Sequence, residues 1–233
     1  MTTDRFAIAA YTYRADVYEP DTILSAMRER TQVYRPEAIL PTDPAEVERA
    51  LDGLARSLGV DRDDEATFDS GDFPKVLTRE QLDEYRNTSA YQWLEQEGDV
   101  DTLFDGYVTC ALWASTDNAD DTGGEPLDER YDRDDIAQES LEAMRADCDA
   151  FIQANAHDLL EYARLRPTSA SYDASQGPAM AYAGHDFWLT RNRHGAGFWD
   201  RGLGELGDRL SEAAKVHGES TLIVGDDGKV HVL

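Results

Sequence analysis

Thr221-Leu222-Ile223-Val224-Gly225-Asp226-Asp227-Gly228-Lys229-Val230-His231-Val232-Leu233 decides the fold class. Two short β-branched runs flank an Asp-Gly pair, which tolerates the positive φ of a tight hairpin turn. The stretch predicts antiparallel strands over residues 221–224 and 230–233. Two further strands are expected, over residues 6–13, where aromatic and β-branched residues cluster, and over 181–191. The chain is therefore not all-helical. The order strand, helix, strand, strand in the last fifty residues is also not a regular βαβ alternation.

The remainder reads as helix. Asp43-Pro44-Ala45-Glu46 is a strong start, because Asp43 can cap, Pro44 fits the first helical position and Glu46 completes a capping box. Val47, Leu51, Leu54, Ala55 and Leu58 follow at helical spacing, and Gly59 stops the run. Thr78-Arg79-Glu80-Gln81 is a second capping box. Residues 21–31 suit a short helix, 100–114 a well-buried one, and 136–164 a long one. Leu141, Met144, Cys148, Phe151, Ile152, Ala156, Leu159 and Tyr162 form the stripe of that last helix. Cys148 sits inside the stripe, which marks it as a small buried hydrophobe. The fold class is α+β: a mostly helical body with a small antiparallel sheet that includes the C-terminal hairpin. Residue 6–13 either joins that sheet or forms its own. Two regions are expected, an acidic, mainly helical 1–95 and an α+β 96–233.

Charge dominates the 233 residues. Acids outnumber bases 48 to 22, a formal net charge of -26. Free duplex DNA is repelled by such a chain, and the Lys and Arg that bind phosphate are scarce, so direct duplex binding is not expected. Lysine occurs only at Lys75, Lys215 and Lys229. This bias suits a salt-adapted or GC-rich source, a solvated surface, or an acidic face that imitates DNA phosphates. Two stretches concentrate the carboxylates. One holds Asp61, Asp63, Asp64, Glu65, Asp69 and Asp72. The other holds Asp117, Asp120, Asp121, Glu125, Asp128, Glu129, Asp132, Asp134 and Asp135. Neither has the spacing of a calcium-binding loop. No apolar run approaches the ~18 residues of a membrane span, and no signal peptide is expected. Two cysteines, Cys110 and Cys148, are too few for a disulfide scaffold.

Residues 184–202 differ from the rest. Gly184-His185-Asp186-Phe187-Trp188-Leu189-Thr190-Arg191-Asn192-Arg193-His194-Gly195-Ala196-Gly197-Phe198-Trp199-Asp200-Arg201-Gly202 carries two of the five His, two of the four Trp and three Arg. Such density makes it the candidate ligand site. As a strand it places His185, Phe187, Leu189 and Arg191 on one face. Arg191, Arg193 and Arg201 suit phosphate or carboxylate. Trp188, Phe198 and Trp199 suit a stacked base. Asn192, His194 and Asp200 complete the polar set, and Arg191 with Asp200 is a candidate loop-locking pair. His185, Asp186, His194 and Asp200 are metal-ligand types, but their spacing matches no metal motif, and no metal or cofactor is expected. Neither a G-x-S-x-G elbow, a phosphate-cradling loop nor a His-Glu-x-x-His helix occurs, so no reaction is assigned.

The same run resembles a motif of small uncharacterised tailed-phage proteins, close to G-H-D-F-W-L-T-R-N-x-H-G-A-G-F-W-D-R-G. The resemblance extends weakly to Phe104-Asp105-Gly106-Tyr107, Ala111-Leu112-Trp113-Ala114-Ser115-Thr116, Met144-Arg145-Ala146-Asp147-Cys148 and Gly225-Asp226-Asp227-Gly228-Lys229. It covers roughly the second half of the chain. It implies a viral or proviral accessory protein in the host cytoplasm and carries no activity with it. Joined to the charge, it leads to the expected function: binding a basic DNA- or RNA-binding protein of host or virus through the two acidic stretches, with DNA mimicry as one form. The alternative is a small-ligand or nucleotide module centred on residues 185–201.

Overall fold

The computed structural model describes residues 8–14, 16–31, 39–117 and 124–233. Two compact units divide the chain, Met1–Tyr85 and Arg86–Leu233. The division falls within a helix and not at residue 95.

In the first unit, strands β1 (Ile8–Tyr13), β2 (Asp16–Tyr18) and β3 (Lys75–Thr78) form one antiparallel sheet in the order β2-β1-β3. The N-terminal strand thus forms its own sheet, within a region where helix residues still outnumber strand residues. Neither β2 nor β3 is long enough to show an alternation of its own. Helices α1 (Ile23–Thr31) and α2 (Pro44–Leu58) complete the unit. The Asp43 carboxylate accepts from the Glu46 amide at 3.1 Å, as the cap motif predicts, and Gly59 closes the helix. Tyr11, Tyr13, Ile23, Leu24, Met27, Val47, Leu51, Ala55 and Phe73 make its core. A polar clamp sits beside it. Arg62 pairs with Glu48 at 2.8 Å and Asp52 at 2.6 Å, and the buried Tyr11 hydroxyl donates to Glu48.

Helix α3 (Arg79–Gln96) crosses the division. Its start is the predicted box: the Thr78 amide donates to Gln81 Oε1 at 2.9 Å, and the Gln81 amide donates to Thr78 Oγ1 at 3.3 Å.

The second unit holds α4 (Asp99–Ala114), α5 (Gln138–Leu165), α6 (Ala179–Arg191), α7 (Glu205–Lys215) and the hairpin β4 (Leu222–Val224)–β5 (Val230–Val232). The hairpin turns through Gly228 at φ 76°, as its Asp-Gly pair requires. Helix α5 is kinked at Asn155, whose side-chain amide donates to the Phe151 carbonyl at 2.8 Å. The core stacks Phe151 on Phe187 with centroids 4.1 Å apart, and sets Tyr107 edge-on to Trp188 and Tyr162 edge-on to Phe198. Cys110 and Cys148 are free and buried, and burial pushes the Cys110 thiol up to about 12.

One expectation is overturned. Residues 181–191 form helix α6, not a strand. Of its thirteen residues, Ala179, Met180, Ala183, Gly184 and every residue from Asp186 to Arg191 are buried. A segment buried on nearly all sides has no polar face, so neither period shows in its sequence. What holds α6 in place is a close approach to α4. A Cβ on Gly184 would come within 2.1 Å of the Leu103 carbonyl oxygen, and one on Gly106 within 2.2 Å of that of Ala181. Each helix presents its glycine to the other's backbone.

Candidate functional site

The chemically dense run is an internal lock. Asp186 is fully buried on α6. Arg201 donates to both its carboxylate oxygens, with Nη2 at 2.6 Å and Nε at 2.9 Å from Oδ1, and the Tyr162 hydroxyl of α5 adds a bond of 2.8 Å. Burial disfavours the Arg201 charge, but Asp186 more than offsets this and raises its pKa. Burial also pushes the Tyr162 phenol up, and the Asp186 carboxylate adds to it. Both groups stay protonated as donors.

Arg191 makes the second half of the lock. Nη1 donates to the Tyr107 hydroxyl and to Asp147, both at 2.6 Å. Nε reaches the Gly218 carbonyl at 2.8 Å and Nη2 the His217 carbonyl at 2.9 Å, just past the end of α7. A guanidinium suits this place because its rigid fork meets four acceptors at once, including carbonyls that a helix end leaves open. Asn192 adds a link, donating to the Trp188 carbonyl at 3.0 Å and accepting from the Ser220 amide at 2.8 Å. Arg191 therefore does not lock onto Asp200. Asp200 instead accepts from the Gly197 amide at 3.1 Å and lies 3.4 Å from Arg201.

Little of the proposed stacking surface is open. Trp188 and Phe198 are buried, so neither offers a face to a base, whereas Trp199 is exposed. His194 is exposed, and His185 is half-buried against the Tyr182 ring. Burial lowers the His185 pKa, with Asp186 opposing and Arg201 adding to the fall. The proposed ligand residues thus scatter: Trp188 and Arg191 are core, Asn192 and Arg201 are spent on structure, and His194 and Trp199 face outward. Among the described residues, no group of three or more His, Cys, Asp or Glu could hold a metal ion.

Carboxylates of both acidic stretches bind their own backbone, but only the second stretch also walls a groove with an apolar floor. In the first, carboxylates bind their own backbone: Asp61 accepts from the Asp63 amide at 3.0 Å, Asp64 from Ala66 at 3.2 Å, and Asp69 from Gly71 at 2.7 Å. Asp72 is exposed. The Glu65 side chain lies outside the described residues. A hollow of about 410 Å³ beside Asp61 and Asp63 is lined also by Asp52, Arg56 and Arg62, of which Arg62 already pairs with Glu48 and Asp52.

In the second, Asp120 and Asp121 lie outside the described residues. Asp117 is half-buried and 3.9 Å from Arg130. Residues 124–137 are not the loose loop that their composition suggests. Leu127 and Ile136 are buried anchors. The Leu127 amide donates to the Ser115 carbonyl at 2.9 Å, and the Ala137 amide to that of Val230, also at 2.9 Å. Between the anchors, Asp132 accepts from the Asp134 amide at 2.8 Å, and Asp135 accepts from the Asp132 amide at 2.9 Å.

This fixed segment walls a groove of about 430 Å³ against α4. Asp105, Val108, Thr109, Leu112, Asp128, Tyr131, Asp132 and Arg133 line it. The floor is apolar, with Val108 and Leu112 buried, and carboxylates outnumber the single guanidinium. Arg133 bonds Asp105 and lies over the Phe104 ring, 4.9 Å from its centroid. It is shared with a second hollow of about 450 Å³, lined also by Phe104, Leu141, Glu142, Arg145 and Asp149. Arg145 stands 5.3 Å from the same ring centroid and pairs with Asp101 at 2.6 Å and Asp149 at 2.9 Å. Sequence reading found the carboxylates but missed Asp105, Val108, Leu112 and Tyr131. Only the placement of residues 124–137 on α4 brings them together.

No helix among the described residues is long and apolar enough to cross a membrane. Compared with protein-family models, curated proteins and solved structures, the chain matches none.

Proposed function

We propose that this chain is an acidic interaction protein that binds a basic segment of another protein in the groove between α4 and residues 124–137. The supporting observation is the groove's make-up: an apolar floor under Asp105, Asp128 and Asp132. Arginine and lysine side chains have the matching build, an aliphatic stem with a charged head. Fixed carboxylates also favour binding, because they need not be ordered when the partner arrives. In the setting that the 184–202 motif implies, the partner is a DNA- or RNA-binding protein of host or virus in the host cytoplasm. DNA mimicry is the narrower form of this reading. It requires that duplex DNA and this chain compete for one surface of the partner.

The test uses an arginine-rich peptide, with a glutamate-rich peptide as control. Asp128→Asn with Asp132→Asn removes only two of the 26 net negative charges, so attraction by the chain as a whole barely changes. Binding at the groove predicts at least a tenfold weaker Kd, which is about 1.4 kcal/mol. An unchanged Kd rejects the groove.

A further inference from the structure

Three charged side chains are buried among the described residues: Asp186, Arg191 and Arg166. The first two are fully met. Arg166 is not. Its guanidinium makes one hydrogen bond, from Nη2 to the Ser171 carbonyl at 3.2 Å, while Nε and Nη1 are buried with no partner. It has no carboxylate partner among the described residues. The Tyr182 and Tyr172 rings lie beside it, with centroids 4.7 Å and 5.5 Å from Cζ. The Tyr162 hydroxyl donates its proton to Asp186 and lies close enough for its oxygen to accept weakly from the guanidinium, but Nε and Nη1 are still left without a partner. Ring faces attract a cation but do not replace its lost hydrogen bonds with water. A buried guanidinium left with open donors needs a physical reason.

The cover over Arg166 is thin. Residues 169–177 run past it and are mostly exposed. Side chains hold them: Ser169 Oγ donates to the Arg201 carbonyl at 2.9 Å, Tyr182 Oη to that of Asp173 at 3.0 Å, and Tyr172 Oη to that of Gly177 at 3.2 Å. The segment belongs to neither α5 nor α6, and lifting it would break those bonds together with the Arg166–Ser171 bond. The Ser169 and Ser171 hydroxyls, 3.2 Å apart, lie on the same segment.

We infer that Arg166 is the base of a closed oxyanion site, covered by residues 169–177, that takes the phosphate or carboxylate group of a small molecule. Both groups offer the acceptors that the open Nε and Nη1 donors lack, and both suit a guanidinium. The site is separate from the acidic groove and does not depend on it.

The test is calorimetric titration of the full-length chain with inorganic phosphate and, separately, with acetate. Sodium chloride holds the ionic strength constant, because any salt screens a chain of charge -26. Binding of one anion per chain is expected, and the stronger of the two anions identifies the class. Arg166→Met should weaken that binding at least tenfold. The Arg166 Nε–H resonance of the unmodified chain, followed by NMR, should shift on addition of the same anion, a reading that needs no variant to fold. Absence of binding by both anions overturns the proposal. So does equal binding by the Arg166→Met chain, or a saturating titration that leaves the Arg166 resonance still, since either means an adventitious ion only.

Discussion

Residues 184–202 and residues 124–137 make an instructive pair. The first stretch has the richer chemistry, with His, Trp, Arg and Asp packed together, and turns Asp186, Trp188 and Arg191 inward while Arg193, His194, Trp199 and Asp200 stay exposed. Asp186 is fully buried under Arg201 and Tyr162, and Arg191 meets four acceptors. The second has an unremarkable composition of Asp, Glu and Arg. It is pinned at Leu127 and Ile136, so its carboxylates face outward from fixed places. A dense set of functional groups can serve cohesion, and a bland charge run can be held in place at the surface. What separates them is whether the charged groups are buried, as Asp186 and Arg191 are, or stand at the surface, as Asp128 does.

The comparison breaks first at Asp186. Asp186→Leu should cost about 4 kcal/mol, because removing one partner strands the Arg201 charge. Denaturant unfolding measures it. A variant that keeps its stability while losing a ligand would turn the lock back into a binding site. Gly184→Ala should cost about 3 kcal/mol, since its Cβ meets carbonyl and amide backbone that cannot give way like a side chain. A loss under about 1 kcal/mol would show that α4 and α6 can separate freely. Asp128→Asn, on the exposed side of the pair, should change stability by less than about 0.5 kcal/mol. A larger loss would make the acidic segment structural as well.

The smallest effect sharpens the contrast by pH. Burial lowers the pKa of both His185 and His217. The unfolded chain then binds protons more readily than the folded one. The stabilising contribution is present above imidazole's ordinary value of about 6.5 and is lost as pH falls toward the lowered folded values. His185→Asn with His217→Asn should flatten the stability slope between pH 7 and 5 relative to the unsubstituted chain, which carries the same carboxylates. An identical slope in parent and variant refutes this role.

The elements readable from sequence were those with local signals. Asp43 and Thr78 mark helix starts through short-range hydrogen bonds, Asp227-Gly228 marks a turn, and Met144, Cys148 and Phe151 repeat at helical spacing. Helix α6 was not readable, because burial on nearly all sides removes the polar face that reveals a period. Strands β2 and β3, three and four residues long, gain their identity only from pairing with β1. The site shows the same limit. Asp128 and Asp132 stand out as charge, but Val108 and Leu112 look like ordinary helix core until residues 124–137 lie against them. Arg166 gives no signal at all, because its want of partners exists only once the chain has folded around it.

The contact between Gly106 and Gly184 joins helices that are far apart along the chain, with the acidic segment lying in the interval. Closing a loop costs free energy that grows only with the logarithm of its length, roughly 0.6 kcal/mol for each doubling. Insertions and deletions in that interval are therefore cheap for the helix pair, provided that Leu127 and Ile136 keep their anchorage. Changes of length or charge between those anchors therefore carry little penalty in folding. The packing of α4 on α6 gives no such latitude, since a single methyl group at either glycine is too much. Drift among related sequences should then concentrate in residues 115–135 other than Leu127 and spare both glycines, so that the surface segment varies on a frame that stays fixed.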